Sequence, residues 1–167
     1  MTTTIKIESE TTSESKDYIR NFLNDHYSGV LATADSASNP HVAVVYHKLE
    51  DDFGLLFATK KETQKHKNLE ENPQVAYLVY DEQEQTTLQV FGSVEVVEDE
   101  EKAKAVLKNM SKSSEESSQD EIAPADKLIA GDFVAFRLVP KVIKMAVYKR
   151  PTSEGDDLYE QLNFSAS

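Results

Sequence analysis

Apolar and polar positions along the chain follow two rhythms. Near the start, Tyr18, Ile19, Phe22 and Leu23 recur at helical spacing, and Ser15 is placed to cap a helix over residues 16–25. The two-residue period of strands then takes over. Residues 30–34 read as one strand, entered through a turn that Gly29 permits. Residues 35–39 carry turn chemistry, and Pro40 opens the next strand, where a missing N–H is tolerated. In residues 41–48, His41, Ala43, Val45 and His47 share one face; Val42, Val44 and Tyr46 share the other. Both faces are largely apolar, so a central strand covered on both sides is expected.

Residues 50–53 read as a hairpin loop and 54–58 as the return strand. A short helix follows and stops at Glu71-Asn72-Pro73, where proline forbids continuation. Two long strands, 74–80 and 85–97, are joined by the polar loop 81–84. Glu98 and Asp99 favour the start of a helix running to Met110, with Ala103, Val106, Leu107 and Met110 on one stripe. Residues 111–121 are rich in Ser, Glu and Gln without apolar period, the pattern of a flexible loop. A short helix at 122–130 precedes two last strands, 133–139 and 142–148, which turn at Pro140-Lys141. Residues 1–14 read as a mobile arm and 151–167 as a tail, which leaves 15–150 as the domain. Within the tail, Leu158, Tyr159, Leu162 and Phe164 can dock on a surface. About seven strands with short connections and marginal helices predict a mainly antiparallel β fold, as a barrel or as a sandwich.

Composition narrows the chemistry. A chain of 167 residues suits one domain with one sizeable core. It has no cysteine, which excludes disulfides, thiolate catalysis and Cys-based metal sites. No apolar run is long enough for a membrane-spanning helix, and the first 15 residues lack the apolar core of a secretion signal, so a cytoplasmic protein is expected. A formal net charge of -12 argues against duplex DNA or an anionic membrane as partner. His26, His41, His47 and His66 form no zinc-like spacing with carboxylates, and His41 and His47 would stand about 20 Å apart on an extended strand. No metal site is expected. There is no Ser-His-Asp arrangement and no glycine-rich phosphate loop, which disfavours nucleotide-fold dehydrogenases and P-loop enzymes.

Against this acidic background, four of the 18 Lys and Arg residues fall within 60–67. They surround the start of the short helix, where free N–H groups and the positive end of the helix dipole favour an anion. The same pattern also describes a solvated surface helix with its lysines in water.

Six segments, 29–34, 40–46, 57–61, 63–65, 70–75 and 88–92, occur in one order and at close spacing. Together they resemble the pyridoxamine 5'-phosphate oxidase-related family of flavin-binding split β-barrels, over roughly residues 15–150. The resemblance implies a split β-barrel, a homodimer, and FMN held non-covalently in two clefts at the dimer interface. It implies that Ala58, Thr59 and Lys60 at a strand end, with Thr63, Gln64 and Lys65 at the following helix start, hold the flavin phosphate and ribityl chain. Gln64 stands where many members have arginine, which removes one charge and a bidentate fork. Val44, Val45 and Tyr46 would pass along the ring, and Ala43 again replaces an arginine. Thr87 and Gln89 would approach the cofactor from the partner subunit, and His66 would join the phosphate rim. The C-terminal signature of vitamin B6 oxidation is missing. The expected function is therefore a flavin-dependent oxidoreductase acting on a small molecule, with no dedicated catalytic acid. Alternatives within the fold are a deazaflavin-dependent reductase, a flavin store or sensor without turnover, and an interaction domain that has lost the cofactor.

Overall fold

The computed structural model describes residues 3, 5–7, 12–117, 131–149 and 159–166. Its elements, in chain order, are β1 (Ile5–Ile7), α1 (Ser13–Asp25), β2 (Ser28–Ala34), β3 (Pro40–Tyr46), β4 (Lys48–Leu49), β5 (Leu55–Lys60), α2 (Gln64–Glu71), β6 (Gln74–Asp81), β7 (Thr86–Val96), α3 (Glu100–Ser117), β8 (Phe133–Val147) and β9 (Tyr159–Ala166). Hydrogen-bonded strands run in the order β1-β9-β8-β7-β6-β2-β3, and β5 pairs with β8 on the other side and with β4. All pairings are antiparallel. The sheet curls until β3 and β5 come near each other without forming a ladder, and the fold is a split β-barrel.

Alternation fills the barrel. Leu31, Val45, Phe57, Tyr77, Val90 and Ile143 point inward from successive strands, and Ile19, Phe22 and Leu23 of α1 close one end. The cap of α1 is Thr12, whose hydroxyl accepts the Ser15 N–H, rather than Ser15 itself. Helix α3 lies across the outer face of β5, packing Val106 and Leu107 on Leu56 and Ala58. Asp99 caps it through the N–H groups of Glu101 and Lys102. The helix continues through Ser117, so much of the segment read as a loop is helical, while residues 118–121 and the helix expected at 122–130 lie outside the described residues.

Three other expectations are corrected. The two last strands are one, β8, because Pro140 and Lys141 form a bulge instead of a turn: Phe91 pairs with Val142, but Gly92 pairs with Pro140. Gly92 fits there because an added Cβ would stand 2.1 Å from the Val139 carbonyl oxygen. Gly29 lies inside β2 and is required by close approach, since a Cβ would meet the Tyr77 ring and the Leu78 carbonyl at 2.6 Å. The arm and the tail each supply a strand: β9 adds to β8 and buries Leu162 and Phe164, and β1 adds to β9.

Arg137 ties these parts together from a buried position on β8. Its guanidinium donates to Glu50, Asp52, Glu95 and the Thr3 carbonyl, and Glu50 also receives Lys102 from α3 at 2.6 Å. Desolvation opposes its charge, but the carboxylates of Glu50 and Asp52 outweigh it and raise the Arg137 pKa. A second buried polar pair crosses the core. Tyr77 donates to His47 Nδ1 at 2.7 Å, and His47 Nε2 donates to the Leu23 carbonyl at 3.0 Å. Burial holds the His47 pKa down at about 4 and raises that of Tyr77.

Candidate functional site

Strand β5 ends at Lys60, and after the two residues Lys61 and Glu62, Thr63 caps α2. The hydroxyl of Thr63 donates its single proton to the Lys60 carbonyl at 2.7 Å and accepts the His66 N–H at 3.4 Å. Thr59 Oγ1 lies 2.9 Å from Thr63 Oγ1, so Thr59 must be the donor in that contact. Both threonine protons are thus used inside the protein, and Thr59 is buried within the barrel. Neither hydroxyl has a proton to offer a phosphate.

The N–H groups of Gln64 and Lys65 lie outside the helical ladder by position. Lys60, Lys61, Lys65 and Lys67 flank them in sequence. Burial lowers the Lys65 pKa, and Lys60 stands 4.0 Å from Glu62, a loose contact. The Gln64 side chain is turned along the helix, donating to Asn68 Oδ1 at 2.8 Å. His66 leaves the rim expected for it: its ring is buried against Phe136, with centroids 5.9 Å apart.

The second wall is β3. Val42 and Val44 are each 64% exposed on its outer face, and Tyr46 on the same face is half-buried beside Leu56. Among the described residues the strand is therefore bare on one side, contrary to the expectation that both faces are covered. Val45 points into the core and Ala58 lies under α3, so the side chains of these two residues are unavailable to a ligand.

Register carries the bare surface onward: Val30 pairs with Val44 and with Leu78, and Ala76 pairs with Phe91. Val30, Leu78, Tyr80 and Phe91 are all exposed. Thr87 and Gln89 belong to this outer face of β7, far from the helix start. Ala58 pairs with residue 135 of β8 and Thr87 with residue 146, on the order of 35 Å apart along that strand. One chain does not bring Thr87 and Gln89 to Lys65.

Two open cavities flank α3. One, of about 280 Å³, lies between β4 and α3 and is lined by Lys48, Glu50, Leu56, Lys102 and Val106. The other, of about 330 Å³, is lined by Lys61, Val97, Ala103, Lys104 and Phe133. Among the described residues no group of three His, Asp or Glu side chains gathers to hold a metal, and no helix is long and apolar enough to cross a membrane.

Sequence reasoning missed Asn68 and Thr33. Asn68 Nδ2 donates to Thr33 Oγ1 at 3.0 Å, and the Thr33 hydroxyl leans on the His41 carbonyl at 3.4 Å. A polar residue at Asn68 beside the core position Leu69 was the available signal.

The donor set suits an anionic group through lysine charge and two helix-start N–H groups, beside an apolar wall suited to a flat ring. It lacks the guanidinium fork.

Comparison with known proteins agrees with the fold. The family model described as pyridoxamine 5'-phosphate oxidase matches residues 15–145. A pyridoxine/pyridoxamine 5'-phosphate oxidase of Deinococcus deserti is 33% identical over 85 residues, which cover 51% of this chain and 40% of that protein. The match thus spans well under half of that relative's length. Among solved structures, the heme storage protein HutZ of Vibrio cholerae superposes with a TM-score of 0.59 at 25% identity, covering 75% of this chain and 89% of that one. A pyridoxamine 5'-phosphate oxidase-related, FMN-binding protein of Nostoc punctiforme gives a TM-score of 0.58 at 12% identity, covering 94% and 98%. That last likeness is one of fold.

Proposed function

Because the chain belongs to the pyridoxamine 5'-phosphate oxidase family, we propose that it binds FMN in clefts between two copies of itself and acts as a flavin-dependent oxidoreductase on a small molecule. The observation that carries this reading is a lysine-rich start on α2, a helix that packs against β3, whose outer face is apolar and exposed. Bound flavin supplies the hydride chemistry. The residues of the chain supply the rest. Lys60 and Lys65, with the N–H groups of Gln64 and Lys65, neutralise the phosphate. Val42, Val44 and Tyr46 shield one side of the ring from water. Thr87 and Gln89 reach the cleft from the second copy, whose outer sheet face covers that of the first.

The test is the visible absorbance spectrum of the purified protein after loading with FMN and removal of free ligand. Retained flavin bands, with oxidation of a reduced nicotinamide, support the proposal. Absence of FMN retention overturns it, and retention of a deazaflavin instead moves the assignment to that cofactor.

The likeness to HutZ favours a second reading, heme binding. The histidines argue against it. His26 and His47 have both ring nitrogens engaged, and His66 is buried. His41 is the half-buried one with an unpartnered Nδ1. Hemin added to the protein is therefore expected to give no sharp Soret band, and a His41-dependent band would reverse the preference.

A further inference from the structure

We propose that Asn68 is a positioning residue for the anionic end of the cofactor, setting its spacing from the apolar wall. The proposal rests on the reading of the α2 start as an anion site. Asn68 is 2% exposed, so it meets the anion site only through its bond to the Gln64 side chain. Its side chain sits in a relay with one direction of donation. Gln64 donates to Asn68 at 2.8 Å, Asn68 to Thr33 at 3.0 Å, and Thr33 to the His41 carbonyl at 3.4 Å. The relay starts at the first residue of α2 and ends on β3, one residue before Val42.

This matters because β3 and β5 share no ladder, so the wall and the lysine-bearing strand end are not fixed to each other by backbone bonds. Across the split, the Asn68 relay links them by hydrogen bonds. It also draws the Gln64 amide along the helix, which keeps that side chain off the N–H groups of Gln64 and Lys65. Both effects act on a ligand that must touch wall and anion site at once. FMN does so; riboflavin, without a phosphate, uses the wall alone.

The experiment compares FMN and riboflavin affinity in the wild type and in Asn68→Leu, which keeps the branched outline of the side chain and removes both bonds. Measurements are made well below the melting temperature of each variant. The expected result is at least a tenfold loss for FMN and less than a threefold loss for riboflavin. Equal losses, or none, overturn the proposal, because a purely structural role lowers the melting temperature without separating the two ligands. A wild type that binds riboflavin as tightly as FMN also overturns it; a wild type that binds neither is decided by the phosphate titration below. If Asn68→Leu fails to fold, Thr33→Val cuts the same relay one bond further on and is read in the same way. A titration with inorganic phosphate, followed at the Gln64 and Lys65 amides by NMR, separates this proposal from the flavin reading. Shifts in the wild type that vanish in the variant sustain the role of Asn68 even if no flavin binds. No shift in the wild type ends the proposal.

Discussion

A threonine hydroxyl has one proton, and at Thr63 it is committed to the Lys60 carbonyl. The cap therefore serves the helix first. Thr63→Ala should cost about 1 kcal/mol in denaturant unfolding and weaken any bound anion only by fraying α2. Gln64 offers the opposite experiment. Gln64→Arg restores a cationic fork next to two free N–H groups, and a charge-assisted bond contributes about 1.5–3 kcal/mol. Tenfold or tighter FMN binding by equilibrium titration is expected, and no gain would place the phosphate elsewhere. His47 gives a pH signature. Its folded pKa lies at about 4 and its ordinary value at 6.5, so on acidification the unfolded chain takes up a proton that the folded one refuses. Stability present above pH 6.5 is then lost as pH falls toward 4, by roughly 3 kcal/mol in all. Urea unfolding across that window should show the slope, and His47→Gln should flatten it. The residue types at the helix start were legible in the sequence because charge and capping are local properties. The inward turn of Thr59, Val45 and His66 was not, because a strand or helix residue shows which positions share its face but not which face is inside.

Elements at the margins were the hardest to read. A strand that adds to the edge of a sheet needs only two or three inward apolar residues, and Leu162 and Phe164 gave β9 no more signal than a surface patch would. Leu162 is fully buried, so Leu162→Ala should destabilise the protein by about 3 kcal/mol in thermal or denaturant unfolding. A true tail would lose almost nothing. Pro140 misled for a related reason. Proline usually ends a strand, and a bulge opposite Gly92 is a tertiary arrangement invisible in local pattern. Residues 111–117 are helical although polar throughout, as the continuation of a helix that Asp99 caps and that Val106 and Leu107 anchor.

At the scale of the molecule, the ordered set of segments pointed to the split barrel while periodicity alone left barrel and sandwich open. The sequence also marked both faces of β3 as apolar, and that observation acquires its meaning from the fold. One face fills the barrel; the other, with Val30, Leu78 and Phe91, has no cover among the described residues. If two copies supply that cover for each other, Val44→Glu should convert a dimer to monomers in analytical ultracentrifugation and release bound FMN in the same preparation. A wild type that sediments as a monomer would remove the partner contribution assigned to Thr87 and Gln89.

The pairing of β1 with β9 has a mechanical consequence. Ile5 stands opposite Ala166 and Ile7 opposite Phe164, so the two extremities of the described chain leave the sheet side by side. A load pulling them apart meets the bonds of this ladder one after another, as a zipper does, instead of shearing them together. Under tension, such as that of an unfolding machine gripping one end of the chain, β1 and then β9 would peel from the sheet before the barrel itself carried any load.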